Sequence, residues 1–218
     1  MKSMMSKTTF REIRQSLGRY LAILAIVALG VGFFAGLKAT TPAMLKTAQT
    51  YLDEKQFYDL RLICTLGFSD AEIQEIALRE DVRFVQGAYS FDILCQNSSD
   101  GNAQVMKGHS ITQGVNELEL LAGRMPKNGN ECVVDSRLFS EKYIGKKIKF
   151  SSLNEEADLE NFAYTEYKIV GIVNSPLYVQ FERGTTSLGS GTISGFFYLL
   201  PEGFAADAYT EAYVKLNQ

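Results

Sequence analysis

The stretch YLAILAIVALGVGFFAGL, from Tyr20 to Leu37, decides the organisation of this 218-residue chain, because it contains no charged and no strongly polar side chain. A helix rises about 1.5 Å per residue, so a stretch of this length spans roughly 27 Å, close to the hydrocarbon thickness of a bilayer. No other part of the sequence is apolar over such a length. The stretch predicts one transmembrane helix over residues 20–37, in contact with a lipid bilayer.

Basic residues are concentrated before this stretch. Lysines and arginines stand at positions 2, 7, 11, 14 and 19, and they oppose a single acid, Glu12. Because cytoplasmic flanks of spanning helices carry the excess of positive charge, residues 1–19 are predicted to be a cytoplasmic basic segment. The main domain is then extracytoplasmic, and the chain belongs to the plasma membrane. Thr9 and Glu12 predict a capping box at the start of an amphipathic helix that runs into the span.

A cleaved signal peptide is the alternative to a retained anchor, since it has the same basic start and apolar run. The apolar run is long for a signal peptide, whose apolar region is typically about 7–15 residues. The sequence after it, around Ala35-Gly36-Leu37, also lacks a small-x-small cleavage pattern. These features favour a retained anchor.

Small residues recur along one side of the predicted span. Ala28, Gly32 and Gly36 are four residues apart, so they share one stripe of a helix, and the last two form a GxxxG motif. Such stripes let a second helix approach closely. The sequence predicts a packing face for other transmembrane helices here, although glycine and alanine are also common in spanning helices in general.

A second helical segment follows the span. Thr41 and Pro42 predict a joint, with the threonine as N-cap and the proline in the first turn of the new helix. Apolar residues then recur at helical spacing from Leu45 to Leu52. Residues 38–57 are therefore predicted to be a stalk helix that continues outward.

Composition places the membrane signal in this N-terminal part alone. Hydrophobic residues make up 46% of the chain, which is ordinary for a globular protein and too low for several spans. The formal net charge is −3, so nucleic acid, whose binding depends on clustered lysine and arginine, is not a predicted partner. Residues 58–218 are long enough to bury a sizeable core of their own.

Residues 58–218 mix strands and short helices without a regular β-α-β alternation, which predicts an α+β domain with a mixed sheet. Ser69 and Glu72 form the pattern of a second capping box. Strands are predicted at residues 59–64, 82–95 (one or two), 103–108, 132–134, 147–150, 167–173, 196–200 and 209–216. Helices are predicted at residues 69–79, 116–122, 136–142 and 201–206, a turn cluster at residues 97–101, and a polar acidic loop at residues 154–161.

The residue types that carry chemistry are sparse. The one histidine, His109, has no nucleophile or carboxylate at a motif spacing, so it is interpreted as structural or as a surface residue. Three cysteines, Cys64, Cys95 and Cys132, are widely spaced and lack a CxxC pair. They are interpreted as buried small apolar residues, with one disulfide left open as the alternative. A metal site from His109 and two cysteines has no supporting ligand spacing.

Two further segments superficially resemble ligand sites. RGTTSLGSGTISG, residues 183–195, is rich in glycine but lacks the GxxxxGK[ST] pattern of a P-loop. It is interpreted as a long flexible loop between strands and as a contact surface. The acids at positions 155, 156, 158 and 160 lack the spacing of an EF-hand and are interpreted as solvated. The sequence predicts no catalytic residue, no cofactor and no metal.

Four motifs occur in order within residues 121–174. They are LAGRMP at 121–126, NECVV at 130–134, IGKKI at 144–148 and YKIVGIVN at 167–174. Their order, together with the N-terminal span, resembles the FtsX-like (MacB-like) ABC transporter permease family. There, similar motifs mark the extracytoplasmic core domain that follows the first transmembrane helix. Residues 175–201 also resemble the larger permeases of this family from Gram-positive bacteria.

The resemblance implies a mechanical, non-enzymatic role. A cytoplasmic ABC ATPase on a separate chain would drive movement through the transmembrane helices into the core domain, for export or for mechanotransmission. The implied partners are that ATPase, the lipid bilayer, and other permease transmembrane helices or a second permease copy. Within the motifs, Gly123 and Gly129 are expected at turns that need a positive φ, and Val133 and Val134 in the core of the sheet.

The chain also departs from the family. Such permeases have at least four transmembrane helices, and this sequence contains one, so it is expected to be a truncated, split or partial permease. A single-pass extracytoplasmic sensor or binding module is the alternative function. An anchored enzyme is the third, and it would need a hydrolytic role for His109 or Ser187.

Overall fold

The computed structural model of the chain describes residue 11, residues 16–96 and residues 103–217. The chain divides into two units, Met1–Tyr51 and Leu52–Gln218. The predicted capping box of Thr9 and Glu12 and the predicted turn cluster at residues 97–101 lie outside the described residues.

The N-terminal part is one uninterrupted α-helix, α1, at Leu17–Glu54. The predicted joint is wrong, because Pro42 lies inside this helix and Thr41 does not cap a new one. Proline has no N–H for the carbonyl four residues earlier, yet good helix formers on both sides carry the helix past it. The Thr40 hydroxyl donates to the carbonyl of Gly36 at 2.8 Å, so it too follows the helical path. The helix ends three residues before the predicted end of the stalk.

In its described residues, the second unit contains ten strands and two further short α-helices. The strands are β1 (Leu60–Phe68), β2 (Val82–Ala88), β3 (Ser90–Gln96), β4 (Ala103–Ser110), β5 (Glu119–Gly123), β6 (Glu131–Asp135), β7 (Lys147–Lys149), β8 (Glu166–Asn174), β9 (Gly195–Leu199) and β10 (Tyr209–Leu216). The helices are α2 (Asp70–Ala77) and α3 (Glu156–Leu159), with 3₁₀ turns at Glu141–Tyr143, Pro176–Tyr178 and Pro201–Gly203. The predicted α+β class is confirmed.

Helix α2 begins as its sequence predicts. The Ser69 side chain accepts from the backbone N–H of Glu72, and the Glu72 carboxylate accepts from the backbone N–H of Ser69 at 2.8 Å. This reciprocal capping box satisfies two of the N–H groups that a helix start leaves unpaired. The hydrogen bonds from Ser69 also lower the pKa of Glu72.

The strands form two sheets. The smaller sheet has the order β1-β10-β2 and is antiparallel. The larger has the order β3-β4-β9-β6-β8-β5, with β7 also paired to β8. Within it, β4 pairs with β9 in parallel and β6 pairs with β8 in parallel, while β6 and β9 are antiparallel. Because the larger sheet mixes parallel and antiparallel pairs, the sequence lacks a regular β-α-β alternation.

The larger sheet curls around the main hydrophobic core. Cys95 at the end of β3 forms an isolated bridge with Phe150, which follows β7, so two strands far apart in the sheet order come together. Asn154 closes the outer edge of β3, since its side chain accepts from Leu94 N–H and donates to Leu94 C=O, both at 2.8 Å. The enclosed core includes Ile93, Met106, Val134, Tyr167, Phe197 and Leu199.

The motifs LAGRMP, NECVV and YKIVGIVN connect β5, β6 and β8. Arg124 of LAGRMP donates from both terminal nitrogens to the carboxylate of Glu131 in NECVV. The donors Arg124 and the backbone N–H of Lys127 lower the pKa of Glu131 to about 2. Arg124 N–H also donates to the carbonyl of Val170 in β8 at 2.9 Å. Arg124 and Glu131 are therefore structural residues.

Gly123 and Gly129 are required by different features of the backbone. Gly123 has φ +79°, as predicted, and a Cβ there would lie 2.3 Å from the carbonyl oxygen of Val170. Gly129 is not among the residues with positive φ, so that part of the prediction is wrong. Instead, a Cβ on Gly129 would lie 2.9 Å from the carbonyl oxygen of Glu202, and close approach of two backbones explains the residue.

Three local predictions are wrong. Residues 116–122 are not helical, because β5 pairs with β8 there and Asn116 has φ +53°. Residues 136–142 form a turn on the Asp135 carbonyl and then a 3₁₀ turn rather than an α-helix. The acidic loop at 154–161 contains α3, whose first-turn acids favour the positive end of a helix dipole.

Candidate functional site

The first functional feature is the apolar helix itself. Helix α1 is long and apolar enough to cross a membrane, and no residue of it is buried. Leu29 and Phe33 are 73% and 71% exposed. A soluble chain rarely leaves such a surface uncovered, because each apolar side chain exposed to water forfeits about 1.5–3 kcal/mol of burial.

The predicted packing face lies on this helix. Ala28, Gly32 and Gly36 are all exposed, and a Cβ added at either glycine would meet no atom within 4 Å. The face is therefore free of contacts within the described part of the chain, and its role in helix packing stays a prediction.

The second feature is a cleft of about 460 Å³ in the domain. Leu52, Phe57, Tyr58 and Arg61, all in the second unit, form one wall, and β4 forms another through Lys107 and His109. The segment after β8, residues 176–185, together with Ile193, completes it. We call this the β1–β4 cleft. Its volume falls in the range of about 300–1,000 Å³ typical of small-molecule sites.

Arg61 presents a fixed positive charge to this cleft. Its Nε donates to Glu211 Oε2 at 2.9 Å, and its Nη2 donates to Glu211 Oε1. The Glu211 side chain is almost fully buried, and Tyr213 Oη donates to it at 2.6 Å. Burial pushes the pKa of Glu211 upward, but the hydrogen bonds from Arg61 and Tyr213 outweigh burial and leave the pKa below its usual value. The pair therefore stays ionised at neutral pH.

Arg183 is held by a second buried acid. Its Nε and Nη2 donate to the two carboxylate oxygens of Asp135 at 2.7 and 2.8 Å, and both side chains are buried. Its Nη1 donates to the carbonyls of Tyr178 and Gln180, each at 3.1 Å. Arg183 thus fastens the segment after β8 to the end of β6, and bidentate geometry makes the contact specific.

His109 is part of this site and not a surface residue. It is 4% exposed, and its Nε2 lies 2.6 Å from Tyr178 Oη. Its ring also stacks on Tyr198 at a centroid distance of 5.1 Å. Burial lowers the pKa of His109 to about 3, so the imidazole is neutral at physiological pH. His109 is thus a neutral, buried histidine, and the surface-residue interpretation is wrong.

The segment that joins the helix to β1 is clamped to the domain. The N–H of Asn116 donates to Gln56 C=O at 3.0 Å, and the N–H of Glu117 donates to Lys55 C=O at 2.8 Å. The N–H of Tyr58 donates to Asn116 Oδ1 at 3.1 Å. Gln56 and Asn116 both have positive φ, at +50° and +53°. These contacts, which we call the linker clamp, fix residues 55–58 on the domain surface.

The glycine-rich segment is an ordered hairpin rather than an unstructured loop. Thr185 and Thr192 form an antiparallel bridge, and Ile193 N–H donates to Gly184 C=O at 3.1 Å. Gly189 lies at the turn with φ +51°. Ser187 in this hairpin is exposed, and the sequence around it matches no catalytic motif.

The three cysteines are free thiols. Cys95 and Cys132 are buried in the main core, as expected for small apolar residues, whereas Cys64 on β1 is half-exposed. Burial raises the pKa of both core thiols. Among the described residues, no three His, Cys, Asp or Glu side chains come together in a way that could hold a metal ion.

Sequence reasoning missed the ion pairs at the β1–β4 cleft. Arg61 and Glu211 are 150 residues apart, and Asp135 and Arg183 are 48 apart. Arg61, Asp135 and Glu211 lie within or beside predicted strands, whereas Arg183 begins the segment interpreted as a loop, so only the tertiary fold brings each pair together. No local spacing signals such contacts.

No family model matches the chain, and no curated protein matches it. Solved structures that are similar to it include two domains of transporters. One is the extracellular domain of the noncanonic ABC-type transporter YknZ from Gram-positive bacteria, with 12% identity and a TM-score of 0.44, covering 74% of this chain and 82% of that one. The other is the periplasmic region of MacB from Actinobacillus actinomycetemcomitans, with 11% identity and a TM-score of 0.40, covering 69% and 65%.

Proposed function

We propose that the chain is a permease component of an ABC transporter, anchored by α1 with its N-terminus in the cytoplasm and its domain outside. The observation that carries this proposal is the 38-residue helix, whose apolar segment is exposed along its whole length. The basic residues before Tyr20 support the orientation. The ordered motifs of residues 121–174 support the family.

The proposed role is mechanical. A cytoplasmic ATPase on a separate chain hydrolyses ATP, and movement reaches the domain through the transmembrane helices, for export or for mechanotransmission. The linker clamp supports this role, because a chain segment that transmits movement needs a firm attachment. Residues 55–58 have that attachment through backbone hydrogen bonds to Asn116 and Glu117.

The stripe of Ala28, Gly32 and Gly36 is proposed as the face that receives other permease helices or a second permease copy. Close approach of helices depends on small residues, since lipid provides no hydrophobic drive for association between helices. Bulky side chains on this stripe should therefore separate the chain from its partners.

The test is purification of the tagged chain from membranes of its source cell. The wild-type chain should bring a P-loop ATPase and further membrane-spanning segments with it. The double variant Gly32→Leu/Gly36→Leu should co-purify with roughly tenfold less of the ATPase and of the further membrane-spanning segments, because both leucines block the packing face. Gly30→Leu is the matched control, since residue 30 is turned about 200° from residue 32 on the helix.

A second candidate function is a single-pass sensor or binding module, which the β1–β4 cleft favours. Purification of the intact wild-type chain without any ATPase would support that function and contradict the permease. If the Gly30→Leu control lost as much of the partners as the double variant, the proposed packing face would be contradicted and the permease function would not.

A further inference from the structure

The β1–β4 cleft has apolar walls on several sides. Leu52, Phe57, Leu177, Val179 and Ile193 line it. Val179 is 67% exposed. The Phe57 and Tyr58 rings stack at 4.3 Å and stiffen the wall that the linker clamp holds. An apolar body placed here would cover side chains that the domain leaves in contact with water.

The polar part of the lining is mainly cationic. Arg61, Lys107 and Arg183 line the cleft, and Glu182 is the acid that lines it with them. Each cation is held by an acid that does not line the cleft: Glu211 for Arg61, Asp92 for Lys107 at 2.8 Å, and Asp135 for Arg183. The acids fix the positions of the cations and leave positively charged groups at the surface of the cleft.

Two of these cations keep donors for a ligand. Within the described residues, the hydrogen bonds of Arg61 leave from Nε and Nη2, so both N–H groups of Nη1 remain. Lys107 Nζ has three donors and contacts Asp92. Arg183 differs, because its Nη1 already serves two carbonyls. The free donors therefore belong to two residues that line the same cleft, Arg61 on β1 and Lys107 on β4.

We propose that the β1–β4 cleft binds a small, water-soluble apolar molecule that carries one carboxylate. The carboxylate accepts from Arg61 Nη1 and Lys107 Nζ, and the apolar body covers Val179 and the aromatic wall. One negative charge fits better than two, because Glu211, Asp92 and Asp135 already balance the three cations and Glu182 adds a further acid to the lining. The inference does not depend on the permease function, since the cleft belongs to the domain alone.

Dansyl-leucine is a suitable probe, since it combines an apolar fluorescent body with one carboxylate. The full chain in lipid nanodiscs should bind it saturably at one site, after subtraction of the signal from empty nanodiscs. Dansyl-leucinamide, which has the same body without the charge, should bind about tenfold more weakly or worse, because charge-assisted hydrogen bonds are lost.

Two variants locate the site. Lys107→Met should weaken dansyl-leucine binding about tenfold by removing one cation. Val179→Asp should weaken it by a similar factor, by adding a negative charge to the wall, and the variant is expected to fold because Val179 is 67% exposed. Lys149→Met is the matched control, because Lys149 is 58% exposed in an ion pair with Glu166 and does not line the cleft. It should bind like the wild type.

Equal affinity for the acid and the amide would overturn the proposal, as would the absence of saturable binding above empty nanodiscs. If Lys107→Met fails to fold, Val179→Asp decides: wild-type affinity in that variant would also overturn it.

Discussion

Replacing Arg183 with methionine is expected to lower the free energy of unfolding of the domain by about 3–5 kcal/mol. The change leaves the carboxylate of Asp135, which is 1% exposed, without its charged partner inside the protein. It also removes the donor to the carbonyls of Tyr178 and Gln180, so the segment after β8 loses its attachment to β6. Urea unfolding of the detergent-solubilised chain, followed by far-ultraviolet circular dichroism, measures the loss.

The control is Arg79→Met. Arg79 and Asp81 form an exposed pair, 67% and 63% accessible, with 3.3 Å between Nε and Oδ1. Its loss should change the free energy of unfolding by no more than about 1 kcal/mol, because solvent screens exposed pairs. The double variant Arg183→Met/Asp135→Asn should be more stable than Arg183→Met, since the stranded charge is gone. Equal stability of the two single arginine variants would show that the buried pair is unimportant.

The second large effect is expected at the centre of the span. Leu29→Arg places a permanent charge at the middle of residues 20–37, at a cost of about 2.5–3.5 kcal/mol for insertion into the bilayer. That cost lowers the inserted fraction relative to the non-inserted one by roughly 60- to 350-fold. Much more of the variant than of the wild type should appear in the soluble fraction after carbonate extraction of membranes.

Met44→Arg provides the comparison for this variant. Met44 lies on the same helix beyond the span and is 67% exposed, close to the 73% of Leu29. An arginine there stays in water and should leave membrane retention unchanged. If both variants were released equally, or if neither were, residues 20–37 would not be the transmembrane segment.

Local sequence patterns predicted the features that depend on neighbouring residues. The strand at residues 209–216 and the capping box of Ser69 and Glu72 are found where they were expected. Both follow from short-range rules, enrichment in β-branched and aromatic residues in one case and reciprocal N-terminal hydrogen bonds in the other. The apolar helix is equally plain, since length and composition alone identify it.

Features that depend on distant pairing could not be predicted. Residues 116–122 were predicted to be helical, but pairing with β8 makes residues 119–123 a strand, with Leu120 opposite Val173. Arg61 and Glu211 meet because β1 and β10 pair, and nothing near either residue indicates it. The prediction of a joint at Pro42 was wrong for the opposite reason. Thr41-Pro42 is a strong local signal for a new helix start, but the helical residues on both sides outweigh it.

The thiols of the chain give a direct measure of its orientation. Cys64 is half-exposed on β1, whereas Cys95 and Cys132 are buried with raised thiol pKa values. Maleimides react with the thiolate, so the two core cysteines should stay unlabelled until the domain is denatured. Cys64 is therefore a natural reporter for the side of the membrane on which the domain lies.

The most direct test of the proposed orientation is labelling of spheroplasts with a membrane-impermeant maleimide. We expect Cys64 to be labelled in intact spheroplasts, Cys64→Ser to abolish that signal, and Ser3→Cys in the basic segment to be labelled only after permeabilisation. Thr65→Cys, at an exposed position of the same strand, provides a second labelling site in case the half-exposed Cys64 reacts slowly. Labelling at positions 64 and 65 only after permeabilisation would place the domain in the cytoplasm and contradict the proposed orientation.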